Sequence, residues 1–295
     1  QSEGRSAASV PSLAASDSEY SSADDVLFKN DKLRLLFNLK GSAIREISFL
    51  EYTDIEKKGP LKLISAQKIS AGSLSLGMIY PALERESRTG QVSMDQDRVT
   101  LQSAVLNADV KVTKNYVFRR SGYSADLSVT FENISGKPLN IQYELFAGSS
   151  IPARHSIDAQ YIEANFFSSG INKSDLRHIN ESKLGKRGES QGPLDWIAIK
   201  DRHFSVILKP KADKTFSGVV EGLGDQHFSA ALVSPKVSLP VSGSVTHEFL
   251  VYMGPNDLGE LLPLGLEDIV NFGKLDLVWK ICIGALEMLH KIFKN

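Results

Sequence analysis

The chain has one cysteine, Cys282, among 295 residues. It therefore cannot close an internal disulfide, and its redox compartment is not legible from thiols. Charge of one sign is also missing. Lys and Arg total 34 against 35 Asp and Glu, a net charge of −1, so no long-range field draws in nucleic acid, and no nucleic-acid partner is expected. The six histidines, His155, His178, His203, His227, His247 and His290, form no H-E-x-x-H or H-x-H pattern and have no cysteine partner. Neither a metal nor another cofactor is expected on that basis. There is no G-x-S-x-G elbow and no phosphate loop. Gly222 and Gly224 in EGLGDQ read instead as a turn between two strands. No charged-then-apolar leader or cleavage site opens the chain, and the first residue is Gln1, so the sequence is expected to be excised from something longer.

What is present is mostly strand. Residues 1–25 are rich in Ser and Ala without a sustained period and read as a disordered linker. From Val26 to about residue 256 the dominant period is two. Its clearest block places alternating residues at Val99–Val105, Val110–Phe118, Leu127–Phe131 and Leu139–Leu145, expected as four successive antiparallel strands with a turn at NISGKP, Asn133 to Pro138. Further strands are expected at Trp196–Lys200, Phe204–Lys209, Ser217–Glu221, Phe228–Val233 and Val245–Tyr252. Between Phe167 and Pro193 the text is polar and Gly-rich, which predicts a long mobile loop. So many short strands without intervening helix argue for a large antiparallel sandwich.

Beyond residue 256 the period changes to 3.6. Asn256 or Asp257 can cap a short helix disturbed by Pro263 and Gly265, and the segment 257–295 is expected to be helical. Wound at 100° per residue, residues 275–295 place Leu275, Val278, Ile281, Cys282, Ala285, Leu286, Leu289, Ile292 and Phe293 on one arc. Asp276, Lys280, Glu287, His290, Lys291 and Lys294 take the other, with only Ile283 misplaced. A membrane span needs roughly 20 nearly uncharged residues, and a charge or His recurs here every few positions. Such a helix lies in a membrane interface or packs on its own protein's core. The width of the arc and Trp279 at its edge favour the interface.

No catalytic residue is assigned. Glu144, Glu221 and Glu248 fall in strand patterns and could stand beside His203, His227 or His247 as base and acid, but with 35 acids such coincidences are expected. Three N-x-S strings, at Asn133, Asn172 and Asn180, fit exposed loops and carry little weight.

WIAIKDRHFSVILKP from Trp196, VYMGPNDLGEL from Val251 and the following LGLEDIVNFGKLDLVWKICIGALEMLHKIF resemble the YidC membrane protein insertase family of Gram-negative bacteria. VTFENISGKPLNIQYELF from Val129 and the Ser-rich opening agree with it. The resemblance implies a β-supersandwich on the periplasmic side of the inner membrane, set between a first and a second membrane span and followed by an interfacial helix. It implies a non-enzymatic module, because the family's insertion groove belongs to later transmembrane helices. Implied partners are accessory subunits of the Sec translocon, nascent membrane-protein chains and the membrane surface. The same supersandwich resembles galactose mutarotases, so a sugar-binding or aldose-epimerase-like protein is the alternative. A further reading, compatible with the first, is peptide binding at an open sheet edge.

Overall fold

A computed structural model describes residues 25–38, 43–54, 59–65, 74, 76–80, 89–95, 97–105, 109–148, 161–169, 174–179, 187–190, 193–212, 215–224 and 227–270. The chain divides into two compact units, Gln1–Gly254 and Pro255–Asn295. The first is built of strands: β1 (Asp25–Lys29), β2 (Leu33–Asn38), β3 (Ala43–Asp54), β4 (Gly59–Ser65), β5 (Leu76–Tyr80), β6 (Thr89–Asp95), β7 (Arg98–Val105), β8 (Val110–Phe118), β9 (Ser124–Asn133) and β10 (Leu139–Gly148). They continue as β11 (Glu163–Ser169), β12 (Ser174–Ile179), β13 (Arg187–Ser190), β14 (Trp196–Lys200), β15 (Phe204–Pro210), β16 (Ser217–Gly224), β17 (His227–Val233), β18 (Val237–Leu239) and β19 (Ser244–Pro255).

Among the described residues these strands make three sheets. One has the order β1-β2-β3-β4, a second β13-β16-β17-β10-β18 with β5 also paired to β10, and the largest β12-β11-β14-β15-β19-β9-β8-β7-β6. The fold is an antiparallel β-supersandwich. Alternation explains why: in β8, VKVTKNYVF, every second residue is buried and those between are partly exposed. Register aligns Val112 with Phe131, Tyr116 with Leu127 and Phe118 with Ala125 across β8 and β9, and then Phe131 with Val245 and Leu127 with Phe249 across β9 and β19. The long sheet therefore presents one continuous apolar face.

Both smaller sheets cover that face. Phe28 of β1 stacks on Phe118 at 4.1 Å, and Phe37 of β2 meets Tyr116 edge-on at 5.3 Å. Phe49 of β3 stacks on Phe204 of β15 at 4.5 Å. Elsewhere on the same face, Tyr143 of β10 meets Phe131 at 4.6 Å, and Phe216, just before β16, meets Phe249 at 5.3 Å. Such offset and edge contacts add to the area that aromatic rings bury.

Two expectations need correction. The strands at 98–105, 110–118 and 124–133 do pair in succession, but β10 leaves that sheet and pairs β17, β18 and β5, while β9 takes β19 as its other neighbour. Asn133 forces the departure. Its Nδ2 donates to the carbonyl oxygens of Lys137 (2.9 Å), Leu239 (3.1 Å) and Pro240 (2.9 Å), and its Oδ1 accepts from the Ser135 N–H at 2.9 Å. Asn133 is 1% exposed and fully committed, so the N-x-S string there cannot take a glycan; Asn172 and Asn180 lie outside the described residues. Removing the amide strands three carbonyls. Asn133→Ala should lower stability by about 2–3 kcal/mol in urea titration, and an unchanged midpoint would refute this role.

The second correction concerns 167–193. That stretch contains β12, paired to β11, and β13, paired to β16. SDLRHI and RGES carry almost no apolar alternation because they are outermost strands, held by backbone pairing on one side.

In the second unit, Asp257 caps a four-residue α-helix, α1 (Leu258–Leu261), by accepting from the Gly259 N–H at 2.8 Å. Two 3-10 turns follow at Leu262–Leu264 and Glu267–Ile269, separated by Gly265 in the left-handed region at φ 62°. Helix among the described residues is limited to these short pieces.

Candidate functional site

The polar groups that stand out are those on the apolar face of the long sheet. Lys114 of β8 occupies an inward position between Val112 and Tyr116 and is 1% exposed. Its Nζ donates to the Leu74 carbonyl oxygen, and Leu74 is itself buried with φ 62°, a region that costs a non-glycine residue energy. Burial pulls the Lys114 pKa down from 10.5 to about 7. Two residues on, burial pushes the Tyr116 phenol pKa far up, and its Oη has no hydrogen-bond partner among the described residues. On β19, His247 is 8% exposed and its Nδ1 lies 2.6 Å from Tyr143 Oη. Tyr143 in turn has its backbone N–H on Ser234 Oγ at 2.9 Å.

This arrangement bears on the carboxylate–histidine reading. His247 points inward, so its neighbour Glu248 points outward and is exposed. Glu144 adjoins Tyr143, which touches His247, and so faces the opposite side of β10. Register pairs Ser217 and Glu144 each with Val233, and Glu221 shares Ser217's side of β16, opposite the buried Val220. All three glutamates therefore lie on faces turned away from His247. His203 is exposed in the β14–β15 turn, with its N–H on Asp201 Oδ1 at 2.7 Å, and the side chain of His227 lies outside the described residues. Among the described residues, no group of three or more His, Cys, Asp or Glu side chains takes a metal-holding arrangement.

The expected interface residues Leu275, Val278, Trp279, Ile281, Cys282, Leu286, Leu289, Ile292 and Phe293 lie outside the described residues, as does the linker up to residue 24. No described helix is long and apolar enough to cross a membrane. The open-edge reading has a concrete location: among the described residues β1 ends the four-stranded sheet, pairs with β2 alone, and carries Leu27 at 38% exposure.

Residues 25–282 match the family model described as the YidC periplasmic domain. The chain belongs to that family. Among curated relatives, the membrane protein insertase YidC of Methylococcus capsulatus is 23% identical, covering 90% of this chain and 51% of that protein. That of Nitrosospira multiformis is 22% identical over 91% and 50%, and that of Chlorobium limicola 25% over 84% and 45%. The chain spans about half the length of the curated relatives it matches. Among solved structures, a galactose mutarotase-like protein from Lactobacillus casei aligns with a TM-score of 0.52 at 8% identity, over 78% of this chain and 99% of that one. A galactose mutarotase related enzyme from Lactobacillus acidophilus gives 0.53 at 9%, over 78% and 97%. At such identities the likeness establishes the supersandwich fold and nothing about chemistry. The chain thus shares an architecture with galactose mutarotase-like proteins, while the three glutamates considered above face away from its buried histidine.

Proposed function

We propose that this chain is the periplasmic contact-and-placement domain of a membrane protein insertase at the bacterial inner membrane, assisting insertion and folding without making or breaking covalent bonds. The match of residues 25–282 to the YidC periplasmic domain carries the reading. Its partners would be accessory subunits of the Sec translocon and nascent membrane-protein chains. Residues 275–295 would rest on the membrane surface through the apolar arc that includes Leu275, Trp279, Leu286 and Phe293. Extended substrate segments would enter at the outer edge that β1 forms among the described residues, where backbone groups offer a ladder and Leu27 an apolar contact.

A photo-crosslinking residue at Leu27, in vesicles from cells making an insertase that carries this chain, should capture nascent membrane proteins or a translocon subunit. A probe at Lys137, in the β9–β10 turn, should capture neither above background. Equal capture by both probes, or none by the Leu27 probe, would remove the edge-binding part of the proposal.

A further inference from the structure

One end of the β-body gathers exposed cations. Asn30 Nδ2, just after β1, donates to the carbonyl oxygens of Arg119 (2.9 Å) and Gly122 (3.1 Å), and the Asp31 N–H donates to Arg120 O at 3.2 Å. The segment after β1 and the β8–β9 turn are thus laced together. The Met253 N–H donates to Tyr123 O at 2.8 Å, so β19 ends beside the same turn. Phe204 packs against Phe49 and Tyr52 at 4.5 and 5.0 Å, which brings the β14–β15 turn with Arg202 to this end.

Lys29, Arg119, Arg120 and Arg202 are exposed. Among the described residues none of them has an ion-pair partner, and Arg202 rests over the Tyr161 ring at 5.1 Å. The nearby acids are engaged. Glu51 accepts from Tyr123 Oη at 2.8 Å and meets Lys32 at 3.2 Å, and these bonds, the first above all, hold its pKa below the usual carboxylate value. Asp201 is buried and accepts the N–H groups of His203 and Phe204, while Glu163 faces Lys200 at 3.8 Å. The exposed acids left at this end to oppose the four cations are Asp31 and Asp97, whose backbone oxygen accepts the Phe118 N–H at 2.7 Å. Tyr52 and Tyr161, 36% and 38% exposed, stand among them.

We infer that this end of the body is a headgroup-binding face that rests on an anionic phospholipid surface. Lys29, Arg119, Arg120 and Arg202 meet phosphate oxygens, and Tyr52 and Tyr161 sit at headgroup depth. Guanidinium forks match phosphate oxygens in pairs, each cation near an anionic leaflet adds attraction, and tyrosine favours the water–lipid boundary. An acidic protein would satisfy the same charges. Lipid is favoured because β19 leaves the body at this end, and the chain beyond it carries the amphipathic arc of residues 275–293. The inference deepens the membrane-surface reading above and rests on it.

The test uses the full chain with vesicles of phosphatidylcholine alone and of phosphatidylcholine mixed with phosphatidylglycerol. Phosphatidylglycerol should strengthen co-sedimentation, and the triple variant Arg119→Glu, Arg120→Glu, Arg202→Glu should lose that gain by about tenfold or more at low salt. Its binding to phosphatidylcholine alone should not change. The three side chains are exposed, and matching urea midpoints confirm that the variant folds. In a Cys282→Ala background, an environment-sensitive dye on Ser121→Cys should shift on phosphatidylglycerol vesicles, and one on Gly136→Cys, at the other end of β9, should not. A variant that keeps the full gain, or dyes that respond equally, overturns the face assignment alone. A parent chain that binds neither vesicle overturns the surface-helix reading with it. Loss of binding to polyglutamate in the variant, without any dependence on phosphatidylglycerol, reassigns the face to an acidic protein and overturns the lipid assignment.

Discussion

Lys114→Met should stabilise the first unit by about 2 kcal/mol at neutral pH and abolish a pH dependence that the parent protein shows. In the unfolded chain the ammonium titrates near 10.5, and in the fold near 7. Between those values the unfolded state holds a proton that the folded state has released, so stability rises with pH from about 7 to about 10. Below 7 both states are protonated and this group adds no further slope, while its full penalty remains. A shift of this size corresponds to about 3–5 kcal/mol, and leaving the Leu74 carbonyl without its donor returns about 1–3 kcal/mol. The net gain of about 2 kcal/mol follows because desolvation of a charge outweighs the hydrogen bonding that the ammonium gives up. Urea titrations at pH 7 and pH 9.5 check it: the parent should be clearly more stable at the higher pH and the variant nearly equal at both. A destabilised variant that keeps the slope would show that another group titrates.

Phe49→Ala should cost about 3–5 kcal/mol. Phe49 is 0% exposed, stacks on Phe204 at 4.5 Å and meets Tyr52 and Tyr123 at 6.1 and 6.0 Å. It joins β3 of the four-stranded sheet to β15 of the long sheet. Ring truncation removes transfer energy and leaves a cavity whose walls are strands held in register, which collapse poorly. Thermal and urea unfolding should shift together in one transition. Two separated transitions, with the smaller sheet melting first, would mean that the three sheets do not share a core.

Strand positions were legible where one face is buried and the other wet. β8, β9, β14, β15 and β19 all alternate or run apolar, and each is where its pattern puts it. Partner choice was not legible, because period two says which side chains face inward but not which neighbour a strand takes. β10 has the same pattern as β9 yet belongs to the other sheet, and the cause is a side chain, Asn133, whose bonds reach Leu239 and Pro240 more than a hundred positions away. The outermost strands β12 and β13 were invisible because strands held chiefly by backbone pairing need no apolar alternation. Lys114 was visible in part: it stands at an inward position in V-x-V-x-K-x-Y-x-F, but that it stays inside follows only from the packing of the fold. The exposed cations of the β8–β9 and β14–β15 turns carry no sequence pattern, since their proximity is made by Asn30 and Phe49 across long separations.

On the proposed function, this member of the YidC periplasmic domain family is a β-body that works by where it is held and what it touches. The most direct measurement compares vesicle co-sedimentation of the full chain with that of a chain ending at Gly254. Nine apolar side chains on one arc, at about 0.8 kcal/mol per buried methylene, predict that the full chain partitions to phosphatidylcholine vesicles at least about a hundredfold more strongly. Equal partitioning of the two would contradict the account.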